Sequence, residues 1–166
     1  MDARATDAET RVDRADHGAI RMWLRMLATN RLVETRTRRL LQERYATTLP
    51  RFDLMAQLER VPRGLKMGEL SKRMMVTGGN VTGLTDELER EGVVTRAPSP
   101  DDRRAWIVSL TPKGRRSFEA MASEHEQWIL EMFSGLDMKT VKQLHSQLGQ
   151  LRVHVMRNEA GGEEAS

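Results

Sequence analysis

Residues Met67 to Gly92 read MGELSKRMMVTGGNVTGLTDELEREG, and this stretch decides the fold. Leu70, Met74 and Met75 mark one apolar side. Val81, Leu84 and Leu88 mark another at steps of three and four, so the spacing predicts two short helices, about Met67–Met75 and Thr77–Glu91. Val76-Thr77-Gly78-Gly79 leaves room only for a tight turn between them. Gly92 stands where a helix C-cap favours a left-handed residue. Two short helices around a small turn form either a plain helical hairpin or a helix-turn-helix. In the latter the second helix enters the major groove of DNA by its N-terminal end. This second helix has the groups such an insertion needs. Thr77 is the expected N-cap, and the unsatisfied amides behind it favour phosphate. Gly79, with Gly78, allows close approach of the chain. Asn80, Thr82 and Thr85 are expected as small outward hydrogen-bonding groups. Asn pairs with an adenine edge, and Thr offers a hydroxyl and a methyl for thymine. On these two helices alone the plain hairpin and the DNA-reading motif remain equally open.

The residues that follow favour the second reading. Val93–Arg96 and Trp106–Leu110 are β-prone runs on either side of the turn-forming Ala97-Pro98-Ser99-Pro100-Asp101-Asp102, which predicts a hairpin. Its tip holds Asp102, Arg103 and Arg104. An arginine there can enter a minor groove, where negative potential is focused, and a neighbouring aspartate can hold a guanidinium. Residues 96–116 carry six basic side chains against two acidic ones, a density that is unremarkable on a solvated face but suits a phosphate backbone beside this motif. Arg73, in the first short helix, adds another cation.

Further outward the period is helical again. Ile20, Trp23, Leu24, Leu27, Leu32, Val33, Leu40 and Leu41 define a long N-terminal helix that stops near Thr47-Thr48-Leu49-Pro50. Phe52, Leu54, Met55 and Leu58 define a second. Thr111 and Pro112 open a helix carrying Phe118, Met121, Trp128, Ile129 and Met132. Gly135 breaks it, and from about Asp137 a last helix carries Val141, Leu144, Leu148, Leu151 and Val155. These outer helices have more apolar surface than the middle portion can cover, so a second copy of the chain is expected.

Composition narrows the classes. The 166 residues are 39% apolar and 31% charged, with a formal net charge of +3. That is enough apolar material for a core, and aromatics at 4% mean it is built mainly from Leu, Val, Met and Ala. There is no cysteine, hence no disulfide and no thiolate metal site. The four histidines form no ligand pair, so no metal is expected. No phosphate loop and no nucleophile–base pair is evident, so neither catalytic residues nor a cofactor are expected, and an enzyme is not the reading. Met1 to Val12 is charged and lacks the apolar core of a signal peptide. No run is apolar enough for a membrane helix. A cytoplasmic protein is the expectation.

Several motifs in order, Leu70-Ser71-Lys72-Arg73-Met74, Asn80 to Val94, Asp102-Arg103-Arg104-Ala105 and Ser109-Leu110-Thr111-Pro112-Lys113-Gly114, resemble those of the multiple-antibiotic-resistance regulator (MarR) family. The resemblance spans about residues 20 to 155. It implies a mainly α fold with a small β-hairpin wing, a winged helix-turn-helix dimerised through its N- and C-terminal helices. It also implies a homodimer on a pseudo-palindromic operator, with Asn80 and Thr82 on the reading helix, Arg103 as minor-groove finger and Asp102 as its positioning partner. Gly83 departs from the larger, often basic residue common at that place. Leu49 to Leu54 and Met75 to Thr82 look like the branch that senses hydroxycinnamoyl-CoA thioesters, regulators of aromatic-compound catabolism.

The domain boundaries expected are a flexible N-terminus at 1–15, a dimerisation helix at 16–49, a DNA-binding lobe at 50–112, C-terminal dimerisation helices at 113–157 and a disordered tail at 158–166. Methionines concentrate near the joint between helices and lobe. They serve either as adaptable core or as the wall of an effector pocket lined by Trp23, Met26, Asn30 and Phe52, with Arg36, Arg38 and Arg39 to meet a carboxylate or phosphate. The function expected is a repressor released by a small aromatic acid or its CoA thioester. The alternative is a DNA-architectural or protein-interaction module that takes no small molecule.

Overall fold

The computed structural model describes residues 17–102 and 104–163. The expected flexible segment 1–15 and the expected groove finger Arg103 lie outside the described residues. Helix α1 (Gly18–Tyr45) ends at Ala46, which takes the left-handed conformation and returns its N–H to the carbonyls of Gln42 and Leu41. Helix α2 (Leu49–Glu59) has Pro50 in its first turn, where a missing N–H costs nothing. It buries Phe52, Leu54, Met55 and Leu58. Strand β1 (Leu65–Lys66), helix α3 (Met67–Met74) and helix α4 (Gly78–Arg90) follow. Strands β2 (Val94–Pro98) and β3 (Trp106–Leu110) form the hairpin, and α5 (Pro112–Met132) and α6 (Met138–Glu163) complete the chain.

The strands form one antiparallel sheet in the order β1-β3-β2. Val94 faces Leu110 and Arg96 faces Val108 across the hairpin, while Leu65 of β1 faces Val108 from the other side. β1 is not visible in the sequence, because two residues are too few to display an alternation. Its approach requires Gly64, whose φ is +82°; a Cβ there would lie 2.4 Å from the Val108 carbonyl oxygen.

Two compact units divide the chain, one up to Trp128 and the other from Ile129 onward. The first has the core: Leu41, Leu54, Met55, Leu58, Leu70, Val81, Leu88, Val94 and Val108 are essentially inaccessible. Each such side chain contributes about 1.5–3 kcal/mol on burial. The second unit takes in the end of α5 from Ile129, the turn after it and α6. Asp137 caps α6, accepting the Thr140 backbone N–H at 2.8 Å and its hydroxyl at 2.9 Å. The Thr140 N–H bond is the main cause holding the Asp137 carboxyl below the ordinary carboxylate range. None of the described side chains of α6 is buried, and Met138, Val141, Leu144, Leu148, Val155 and Met156 are exposed. The helix runs on through Gly161 and Gly162 to Glu163, past the boundary expected at 157. Glycine weakens a helix by about 1 kcal/mol per residue but, unlike proline, does not remove the bond that continues it.

Candidate nucleic-acid interface

Helices α3 and α4 pack on each other, and Leu70 on the one and Val81 and Leu88 on the other are buried. The turn between them differs from the one expected. Gly78 and Gly79 lie within the first turn of α4, and the left-handed residue is Met75, φ +53°. Its N–H returns to the Lys72 carbonyl and that of Val76 to Ser71, while the Ser71 hydroxyl donates to the Val76 carbonyl at 2.8 Å. Thr77 occupies the N-cap position with extended backbone, but its hydroxyl makes no capping bond.

Residues 75 to 80 are all exposed, so the leading end of α4 presents its amides to solvent. Asn80 and Thr82 face outward as expected. Thr85 does not. It is fully buried, its hydroxyl donates to the Val81 carbonyl at 2.7 Å, and the Met67 sulfur lies 3.9 Å away. The reason is periodic: Val81, Thr85 and Leu88 stand at i, i+4 and i+7, one inward stripe. Thr85 is therefore a core residue and not a DNA-reading one.

Arg73 is exposed and its guanidinium bonds Glu69 one turn earlier at 2.6 Å. At the hairpin tip, the Asp102 carboxylate accepts the backbone N–H of Arg104 at 2.9 Å and the Asp102 carbonyl that of Ala105. Asp102 thus shapes the tip through the backbone. Arg104 is exposed.

One site residue escaped the sequence reading. Arg96 of β2 bonds Asp86 of α4 through one guanidinium nitrogen and lies 3.5 Å from Glu89 through another, while its own N–H donates to Glu89 at 3.2 Å. It clasps β2 to α4. Only the i, i+3 acidic pair Asp86 and Glu89 hinted at a cation opposite. Removing it leaves two carboxylates without that partner. Arg96→Ala is expected to lower stability by about 1–2 kcal/mol, the scale of charge-assisted bonds discounted for partial exposure. Arg96→Lys restores only part of this, since an ammonium lacks the fork. Urea unfolding midpoints check both, and unchanged midpoints would remove the clasp.

The expected effector residues are more dispersed. Trp23 is 56% exposed, Met26 half-buried and Asn30 exposed, with its amide donating to Glu34 at 3.1 Å. Phe52 is buried, its ring centroid 5.4 Å from Phe118 and 4.9 Å from His125. Desolvation among these rings holds His125 below the ordinary histidine range. Arg38 lies 3.4 Å from Glu34 and Arg39 3.9 Å from Glu43. At 100° per residue Arg36 and Arg39 lie about 60° apart on one face of α1 while Arg38 points away from both, so the three do not all meet one anion. Among the described residues no three His, Asp or Glu side chains form a metal-sized group, and no helix is long and apolar enough to cross a membrane.

Residues 47–106 match the model of the MarR family. The chain is 34% identical over 107 residues to the transcriptional activatory protein BadR of Rhodopseudomonas palustris, covering 63% of this chain and 60% of the relative's length. A MarR-family transcriptional regulator from Silicibacter pomeroyi superposes with a TM-score of 0.74 at 29% identity, covering 86% of this chain and 99% of that one. CouR from Rhodococcus jostii RHA1, solved bound to p-coumaroyl-CoA, superposes with a TM-score of 0.69 at 20% identity over 78% of this chain and 90% of its own. At that identity the likeness speaks for the fold alone.

Proposed function

We propose that the chain, whose residues 47–106 match the MarR family model, is a DNA-binding transcriptional regulator of that family and not an enzyme. It works as a homodimer on a pseudo-palindromic operator. The observation that carries the reading is the leading end of α4, whose residues 77 to 80 are exposed beside a wing clasped to the same helix. Two such ends fit major grooves about one helical turn apart, roughly 34–36 Å. The unburied apolar side chains of α1 (Ile20, Trp23, Leu32) and of α6 support a second copy.

Repression follows where the dimer excludes other proteins from the promoter, and an aromatic acid or its CoA thioester releases it by binding the misfit state better. The class comes from the resemblance of Leu49 to Leu54 and Met75 to Thr82 described above, and the p-coumaroyl-CoA held by CouR is an example of it. Pocket residues would come from Trp23, Met26, Asn30 and Phe52, with Arg38 as the cation, since its charge acts on Asp53 beside Phe52.

Titration of the full chain against DNA from upstream of its own gene tests the reading. Specific binding is expected, with log K falling linearly in log salt. Asn80→Ala should weaken specific binding by about 1–3 kcal/mol. No specific complex at any salt would end the proposal. A promoter reporter that falls on deletion of the regulator would reverse the sign to activation, the role in BadR's name. Melting in the presence of aromatic acids and their thioesters tests the effector: an upward shift by mass action supports it, and none favours a module without a ligand.

A further inference from the structure

The outward surface of α4 and the turn before it is unusual for a helix that reads DNA. From Met74 through Glu89 there is no Arg, Lys or Gln. Those side chains are the ones long enough to donate to, or bridge, the edge of a guanine several ångströms away, and Arg and Lys are the usual readers of its O6 and N7. What is exposed in the turn and the leading half of α4 is short or apolar, and the exposed Asp86 and Glu87 lie in its trailing half. Met75 is 90% exposed, and Val76 is exposed beside it. The Thr82 hydroxyl is turned inward, donating to the Gly78 carbonyl at 3.0 Å, so the side chain offers its methyl to the outside. Asn80, exposed between them, is the one amide. Arg90, the first base after this stretch, sits at the far end of the helix with its Nε–H on the Asp86 carbonyl.

Glycines 79 and 83 complete this surface. A Cβ at either would meet no atom within 4 Å, so nothing inside the protein requires glycine there. Glycine in a helix interior is disfavoured against alanine, and here that penalty has no return within the chain itself.

We propose that the leading half of α4 reads A·T pairs, with thymine 5-methyl groups seated among Met75, Val76 and the Thr82 methyl, over the bare backbone at Gly79 and Gly83, and with Asn80 on an adenine edge. The inference rests on the DNA-binding reading above and specifies its ligand as methyl-bearing A·T steps in the major groove. The chemistry matches on both sides. A thymine methyl is the only apolar group a base presents in that groove, and adenine alone shows the N7 acceptor and N6 donor that a carboxamide satisfies together.

The test uses the full chain. Selection from a randomised duplex pool should return A·T pairs at the half-site positions under α4. Replacing the thymines there by uracil, which removes only the methyl, should weaken binding about fourfold per methyl, the equivalent of one buried methyl group. Gly83→Ala is expected to leave the fold intact, since the added methyl meets only solvent, while weakening the selected site. Gly83→Arg should shift the preferred pair beneath it toward G·C. Guanine at these positions for the natural chain, or equal binding of thymine and uracil duplexes, overturns the proposal while leaving the DNA-binding reading intact. Failure to select any duplex at low salt overturns both.

Discussion

Gly114→Ala is expected to destabilise the protein by about 3 kcal/mol or more, at the upper end of overpacking effects. A Cβ at this position would lie 1.9 Å from the Val93 carbonyl oxygen and 2.9 Å from the carbonyl carbon. Both are backbone atoms and cannot rotate away. That oxygen also accepts the Thr111 N–H at 3.0 Å and lies 3.1 Å from the Thr111 hydroxyl, which in turn caps α5 by accepting the Gly114 N–H at 3.0 Å. Lys113 reaches the Glu91 carbonyl at 2.7 Å from the same turn. One methyl therefore pushes apart the point where α4 gives way to β2 and β3 to α5. For a chain of this size the melting temperature should fall by about 6–12 °C. Gly83→Ala is the control, because it adds the same methyl to open space; thermal unfolding should show it level with the natural chain or above it. A Gly114→Ala protein melting within a degree of the natural one would show that the junction yields freely.

The second large effect concerns α6. Leu144 and Leu148 sit one turn apart on a helix none of whose described side chains is buried. Replacing both by aspartate removes nothing from the core of the first unit. If the exposed leucines meet a second copy, the double variant places four carboxylates in that contact and the dimer separates. Operator affinity should then drop by about 10²–10⁴-fold, because engaging the second half-site ceases to be intramolecular. Sedimentation reads the mass and DNA titration the affinity. A variant that stays dimeric, or a monomer with full affinity, refutes this arrangement.

The order of elements was legible because the period changes are large: threes and fours up to Leu88, alternation after Gly92, threes and fours again from Thr111. The caps at Gly92 and Thr111 also appear where their residue types suggested. The misses have physical causes. β1 is shorter than one period. Thr85 is polar by type, but its hydroxyl is satisfied by the carbonyl one turn back, which lets it join an apolar stripe. Met75 takes a left-handed φ that its side chain disfavours by about 1–2 kcal/mol, so glycines nearby seemed better candidates for the turn. Arg96 and Gly114 act on partners 10 and 21 positions away in the chain, and no local pattern announces such a contact. At the candidate site, helical geometry alone was enough to place Asn80 and Thr82 on the exposed side of α4. The expected effector residues needed tertiary placement: Phe52 is buried while Trp23 is largely exposed.

The first turn of α4 begins with two glycines and lacks a hydroxyl cap. Each glycine gives up about 1 kcal/mol of helix preference and the absent cap about as much again. The segment that would touch bases first is thus only weakly committed to helix by its own residues. Its ordering entropy is then settled on the duplex, at the moment of contact. A sequence that fails to fix the turn recovers none of that loss, so local softness sharpens discrimination between right and wrong sites at the expense of absolute tightness.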